Sequence, residues 1–377
     1  MHARSLTLTV TAALFLVACG AEDGEVAGPD QVDSVTEPAE AVDEGPDATD
    51  ASTDEPIAPQ DPVLSVVATV APIADLVRQV GGDRVEVTSL VPAGGDAHTY
   101  EPRPQDVVIL SEADAYVGIG LALNDGALRL AEENLPEGAP LLLMGEQALT
   151  DDDLVFDHVH DHGHGHSHGD DDHGHSHGDE EGAGHTHGHG EVEPGPNPHV
   201  WTSLRNASAL VSLIAEELTA LDPEGEEYYL DNATDYQEEL AALDQLIRDA
   251  TVTIPARNRT LVTYHDAWTY FARDYQLDYA TAVQPADFSE PSASEVRAVI
   301  DLIRELEVTA VFGSDVFPTP VLERIAEETD ATYVSNLSDD VLPGEPGSPE
   351  HTYLELMRRN AHAIVDGLGG DASQLAR

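Results

Sequence analysis

The chain has 377 residues, more than a single hydrophobic core usually supports, so two lobes are expected. A formal net charge of -57 and the complete absence of lysine exclude a nucleic-acid binder, because phosphate backbones demand basic side chains. The one cysteine, Cys19, excludes an internal disulfide and a thiolate cluster, so any metal site must be built from imidazole and carboxylate. Acidity of this kind solvates a surface and also fits a salty medium, in which case stability should fall when salt is lowered.

The chain opens with a weakly basic Met1-His2-Ala3-Arg4, then an apolar run from Leu6 to Val17, closed by Leu16-Val17-Ala18-Cys19. That run is shorter than the ~20 residues that span a bilayer, so residues 1–18 read as a secretion signal. Cys19 stands where acylation requires a cysteine and is expected to be lipidated, becoming the mature first residue on the extracytoplasmic face of the membrane or in the periplasm. Residues 19–61 are acidic and rich in Pro, Ala, Ser and Thr, with too few large apolar groups to order, and read as a tether.

From residue 62 short β-branched runs alternate with helical patterns, which predicts an α/β fold of parallel sheets and crossover helices. Strands are expected at Val63–Val70, Val85–Val91, Ala115–Ile119 and Pro140–Met144. A helix should start around Pro72, run to Val80 and stop at Gly81-Gly82-Asp83. These elements belong to a first lobe over residues 62–221, interrupted by an insert at 157–190.

The insert carries His158, His160, His162, His164, His166, His168, His173, His175, His177, His185, His187 and His189 among Gly, Asp, Glu and Ser. No packed core can come from that composition. A solubilising loop would account for it, but imidazole is the commonest metal ligand and the carboxylates would reinforce it, so metal capture is the favoured reading. Helical spacing returns in Ser203–Leu221 and again in Tyr228–Ile247, the second bounded by Asp222-Pro223 and read as a spine over residues 222–252. The α/β pattern then restarts, with strands at Arg259–Tyr264, Asp278–Val283, Val308–Gly313 and Ala331–Ser335, making a second lobe over residues 253–370.

Six histidines lie outside the insert, and three have unusual surroundings. His98 falls in a proline-stiffened loop after a strand, His199 lies just past the insert and ahead of a helix, and His265 follows a strand and opens the segment His265-Asp266-Ala267-Trp268-Thr269-Tyr270-Phe271, read as helical. Ligands of open α/β sheets collect beyond the carboxyl ends of strands, so His98 and His265 both fall where a cleft between lobes would form.

The segments Gly95-Asp96-Ala97-His98-Thr99-Tyr100-Glu101-Pro102, Asn197-Pro198-His199-Val200-Trp201 and His265-Asp266-Ala267-Trp268 resemble, in order, the motifs of the metal-specific solute receptors of ABC transporters. The resemblance runs from about Val63 to Gly367, and the histidine-rich insert is similar to that of the zinc-selective branch. It implies that His98, His199 and His265 are metal ligands, that the metal lies between two lobes joined by a rigid helix, and that a carboxylate near the end of the second lobe is the fourth ligand. In Ser338-Asp339-Asp340-Val341-Leu342-Pro343-Gly344, ahead of Thr352-Tyr353-Leu354, the best register puts Asp340 on the metal, with Asp339 its neighbour one residue away. Glu290 reads as a first-turn helix carboxylate, not a ligand.

Three imidazoles and one carboxylate suit tetrahedral Zn2+, with Mn2+ or Fe2+ as alternatives. Asp96, Glu101 and Asp266 are the near-sequence candidates to hold the far ring nitrogens. The implied partners are a membrane permease and its ATPase, with the membrane itself reached through the lipid; the receptor is expected to be a monomer. A zinc hydrolase is disfavoured, since no His-Glu-x-x-His helix occurs and a fourth carboxylate would fill the position a substrate water needs. A metal buffer or adhesin on the same fold stays open.

Overall fold

The computed structural model describes residues 62–95, 97–156, 195–284, 291–314 and 320–376. The signal, the tether with Cys19, the histidine-rich insert, Asp96 and Glu290 lie outside the described residues.

The first sheet consists of β1 (Leu64–Ala68), β2 (Val85–Ser89), β3 (Ala115–Gly118) and β4 (Leu141–Leu143). Their spatial order is β2-β1-β3-β4, all parallel. Helices α1 (Ala71–Gly81), α2 (Pro104–Ser111), α3 (Asp125–Asn134) and α4 (Met144–Gln147) follow the strands in turn. Pro72 stands in the first turn of α1, where a missing N–H costs nothing, and Gly82 ends it at φ 50. Two long helices come next, α5 (Leu204–Leu221) and α6 (Glu226–Thr251). The second sheet holds β5 (Thr260–His265), β6 (Asp278–Gln284), β7 (Ala310–Ser314) and β8 (Thr332–Leu337) in the order β6-β5-β7-β8, again parallel. Helices α7 (Thr269–Asp274), α8 (Ala293–Glu305), α9 (Pro320–Thr329) and α10 (Tyr353–Gly367) accompany it. Two parallel-sheet α/β lobes are therefore present, as the periodicity predicts.

Parallel strands are buried on both faces, and alternation along them sorts the core into three parts. Val67 and Tyr116 face a cluster with Leu110 of α2 and Ala127 of α3 on one side of the first sheet. Val262 and Val311 face a second cluster with Ile300, Ile303, Leu322 and Ile325 of α8 and α9. The other faces share one large cluster: Val66 and Ala68 from the first sheet, Leu261 and Phe312 from the second, and α1, α5, α6 and α10 between them. Buried residues of α6 recur at Tyr229, Ala233, Tyr236, Leu240, Leu243 and Ile247, alternating steps of four and three that lay one continuous seam along the helix. At 26 residues α6 is about 39 Å long, enough to run along both lobes.

Two departures from the sequence reading matter. His265 is the last residue of β5, and the helix begins only at Thr269, because the backbone continues extended through the hydrogen-bonded ladder before it turns. The chain on either side of the insert is also paired: Phe156 and Pro196 form an antiparallel bridge, and Asn197 N–H donates to Val155 O at 2.8 Å. The described residues on the two sides of the insert thus meet at one place.

A buried carboxylate ties the lobes together. Asp75 of α1, 4% exposed, accepts the Tyr353 N–H at the start of α10 at 2.8 Å, and burial raises its pKa above the ordinary 3.8. The folded state therefore holds this proton more tightly than the unfolded chain, and the stabilising contribution declines as pH rises through the raised value. Asp75→Ala should cost about 1–3 kcal/mol by leaving that N–H unpaired. Asp75→Asn, which keeps an acceptor and removes the buried charge, should cost less; urea unfolding at neutral pH measures both.

Candidate metal centre

His98 sits in the loop after β2, His265 ends β5, and His199 precedes the short 3-10 turn Val200–Thr202 that leads into α5. The first two lie at the carboxyl ends of their strands, where sheets of this topology open a crevice. The three side chains converge. His98 Nε2 and His265 Nε2 each lie 3.0 Å from His199 Nε2, and the three ring centroids are 4.7, 5.0 and 5.1 Å apart. One nitrogen from each ring falls within 4.8 Å of the others.

Asn197 orients the middle ring. Its Oδ1 accepts both the His199 backbone N–H, at 3.0 Å, and the Nδ1–H, at 2.9 Å. An amide oxygen can only accept, so the ring proton belongs on Nδ1 and the Nε2 lone pair faces the cluster. The amide's own orientation follows from its Nδ2, which donates to Asp266 O at 2.7 Å. Tyr270 OH donates to Asn197 O at 2.6 Å, so the second lobe grips this segment twice. Of the three carboxylates nominated for such a role, Glu101 is exposed and Asp266 serves through its main-chain carbonyl. The residue missed was Asn197, whose signal was its place two residues before a histidine, the spacing of a side-chain-to-backbone turn.

The two adjacent carboxylates, Asp339 and Asp340, make different contacts around the histidines. Asp339 Oδ2 lies 3.7 Å from His199 Nε2 and 3.9 Å from His265 Nε2. Asp340, the residue expected on the metal, accepts the Ala97 N–H at 3.1 Å with its Oδ2. Asp339 therefore lies beside two of the imidazoles, and Asp340 fastens the His98 loop. Asn124 donates to the Ala97 carbonyl from the other side, so the residue before His98 is held at both its N–H and its C=O. Four donor atoms bound at ~2.0–2.2 Å around a tetrahedral ion lie about 3.3–3.6 Å apart. Four of the six spacings, two of 3.0 Å and those of 3.7 and 3.9 Å to Asp339, bracket that figure.

Electrostatics favour a cation here. His199 is 2% exposed, and burial, followed by the adjoining His265 and His98, pushes its imidazole well below the ordinary 6.5. Its Nε2 has one lone pair and two imidazole neighbours at 3.0 Å, so a ring N–H can satisfy it from one side only. A metal ion would satisfy all three nitrogens at once.

Two parallel-sheet lobes around a buried imidazole centre at the strand ends define a metal-binding solute receptor. The chain matches the family described as "ZnuA: Zinc-uptake complex component A periplasmic" over residues 66–367, and it belongs to that family of metal-binding periplasmic receptors of ABC transporters. It is 37% identical over 315 residues to the high-affinity zinc uptake system protein ZnuA of Paracoccus denitrificans, covering 82% of this chain and 93% of that one. It is 26% identical over 305 residues to the manganese-binding lipoprotein MntA of Halalkalibacterium halodurans, covering 81% and 88% respectively. Among solved structures, the periplasmic metal binding protein from Candidatus Liberibacter asiaticus superposes with a TM-score of 0.65 at 26% identity, covering 81% of this chain and 99% of that one.

Because His199 resists protonation when folded, the unfolded chain takes up a proton below pH 6.5 that the folded chain declines. The metal-free protein should therefore be most stable above that pH and lose stability as pH falls from 6.5 toward the folded value. Thermal melts between pH 8 and 5 measure the trend, and nitrogen-15 NMR of the rings should find His199 neutral and protonated on Nδ1 at pH 6.

Proposed function

We propose that the protein captures a divalent metal ion, Zn2+ first, in a centre formed by His98, His199, His265 and Asp339, and hands it to the permease of an ABC importer driven by a cytoplasmic ATPase. The observation that carries this reading is the convergence of three imidazole nitrogens, two of them 3.0 Å from the third, with one carboxylate oxygen beside them. Three nitrogen donors and one oxygen suit a four-coordinate zinc ion, whereas manganese favours more oxygen donors and a higher coordination number. Capture and release make and break no covalent bonds in a substrate, so no catalytic residue is assigned.

The histidine-rich insert gathers metal for the centre. Its flanks are joined at Phe156 and Pro196, directly ahead of Asn197 and His199, so ions held on the insert are presented at high effective concentration beside the cleft. Cys19 carries the lipid anchor, and residues 19–61 let a single receptor reach a permease in the same membrane. The relatives named above divide between zinc and manganese, so selectivity is the finer part of the proposal.

Metal and proton compete for the same imidazole lone pairs, so affinity should collapse as pH falls through about 6. Calorimetric titration at pH 7.5 and pH 5 decides this, and equal affinities would refute histidine ligation. Deleting residues 163–190 should leave one high-affinity site that prefers Zn2+ over Mn2+ in competition. Loss of nearly all binding would instead mark the protein as a metal buffer, and preference for Mn2+ would overturn the choice of ion.

A further inference from the structure

Asp339 belongs to an irregular turn, and no strand or helix fixes its side chain from within. The turn is instead held from outside at successive main-chain groups. Asn360, in the middle of α10 and 1% exposed, accepts the Ser338 N–H at 2.9 Å and donates to the Ser338 carbonyl at 2.6 Å. The next carbonyl, of Asp339, accepts the Trp201 indole N–H at 2.6 Å. Trp201 is held in turn, because its own carbonyl accepts the Tyr353 hydroxyl at 2.5 Å. Tyr353 is the first residue of α10, fully buried, and its backbone N–H is the group bound by Asp75 of α1. Ser338 Oγ closes the turn internally on Val341 O at 2.9 Å.

We propose that α10 is the element that positions the fourth metal ligand, with Asn360 clamping Ser338 directly and Tyr353 holding Asp339 through the Trp201 indole. Neither side chain touches the ion; both are positioning residues, and the inference rests on the metal reading given above. The arrangement refers the carboxylate to both lobes at once. Asn360 ties it to the second lobe, Trp201 to the segment that carries His199, and Asp75 ties the start of α10 to the first lobe. Hydrogen bonds buried this deeply leave the turn few alternative conformations, since each alternative would strand a main-chain N–H or carbonyl out of water. Support of a ligand by such outer partners typically accounts for about 10- to 100-fold in metal affinity.

The two tryptophans provide a local reporter, because the Trp201 ring lies 5.3 Å from the His199 ring and Trp268 follows His265 closely in sequence. Paramagnetic Co2+ in the centre should quench them, and a saturable quenching phase that Asp339→Ala weakens marks binding in the centre as distinct from binding elsewhere on the chain. The experiment titrates Co2+ into the full chain by tryptophan fluorescence for the wild type, Tyr353→Phe, Asn360→Ala, Asp339→Ala and the double variants. Tyr353→Phe removes one hydroxyl and keeps the ring, so it decides the matter even if Asn360→Ala does not fold. Each positioning variant should weaken Co2+ by about 10- to 100-fold. In the Asp339→Ala background the same substitutions should add nothing, because they act through the missing carboxylate. A merely structural role predicts otherwise: unchanged affinity in Tyr353→Phe, or losses that multiply with that of Asp339→Ala, would overturn the inference while leaving the metal centre intact. Failure of the wild type to bind Co2+ in this assay would overturn both.

Discussion

Three converging imidazoles, two of them with a nitrogen 3.0 Å from that of the buried His199, form the constraint on which the rest of the structure depends. Protonating His199 would put a charge into a buried site beside two other imidazoles, so its pKa is held well below the ordinary 6.5. Neutral rings present lone pairs, and a single proton between two nitrogens relieves one pair only. A cation with an adjacent carboxylate relieves the whole set. Everything that fixes ring direction, from Asn197 on the Nδ1 of His199 to Asp340 and Asn124 on the residue before His98, keeps the cluster from relaxing into ordinary hydrogen bonds.

Holding such a cluster requires two lobes that keep their places. The large shared core runs from the first sheet through α1, α5, α6 and α10 to the second, so the helices between the sheets are a packed layer and not a flexible link. Interiors at crystal-like density transmit displacement instead of absorbing it. Polar contacts add direction to that packing: Tyr353 alone joins the N-terminus of α10 to Asp75 of the first lobe and to the main chain at Trp201. Histidines as far apart in the chain as His98 and His199 meet because the layer beneath them is common to both lobes.

The division between folded centre and histidine-rich insert follows from composition. A segment of Gly, Asp, Ser and His has nothing to bury, so it can offer many weak ligands without disturbing the core. The centre offers a few ligands in fixed directions. The residues that flank the insert meet at the Phe156–Pro196 pair, just ahead of His199.

Much of this was legible in the residues. Alternating β-branched runs and helical spacings specify parallel α/β lobes because those periods leave few other ways to bury apolar side chains, and the long amphipathic stretch Tyr228–Ile247 offered a helix that could lie between them. The histidines stood out by their places after strands and before a helix. What local pattern could not decide was direction. His265 stays in the ladder of β5 because its hydrogen-bonding partner is a strand distant in sequence, and the choice between Asp339 and Asp340 turns on which of two adjacent carboxylates meets Ala97 from the other lobe. Asn360 and Tyr353 likewise meet the turn around Asp339 only when separate segments come together. Sequence determined which elements form and which side chains can bind metal, since those follow from short-range periodicity and side-chain chemistry; tertiary structure alone decided which of them face one another, since hydrogen-bond direction in a turn is set by the groups packed against it.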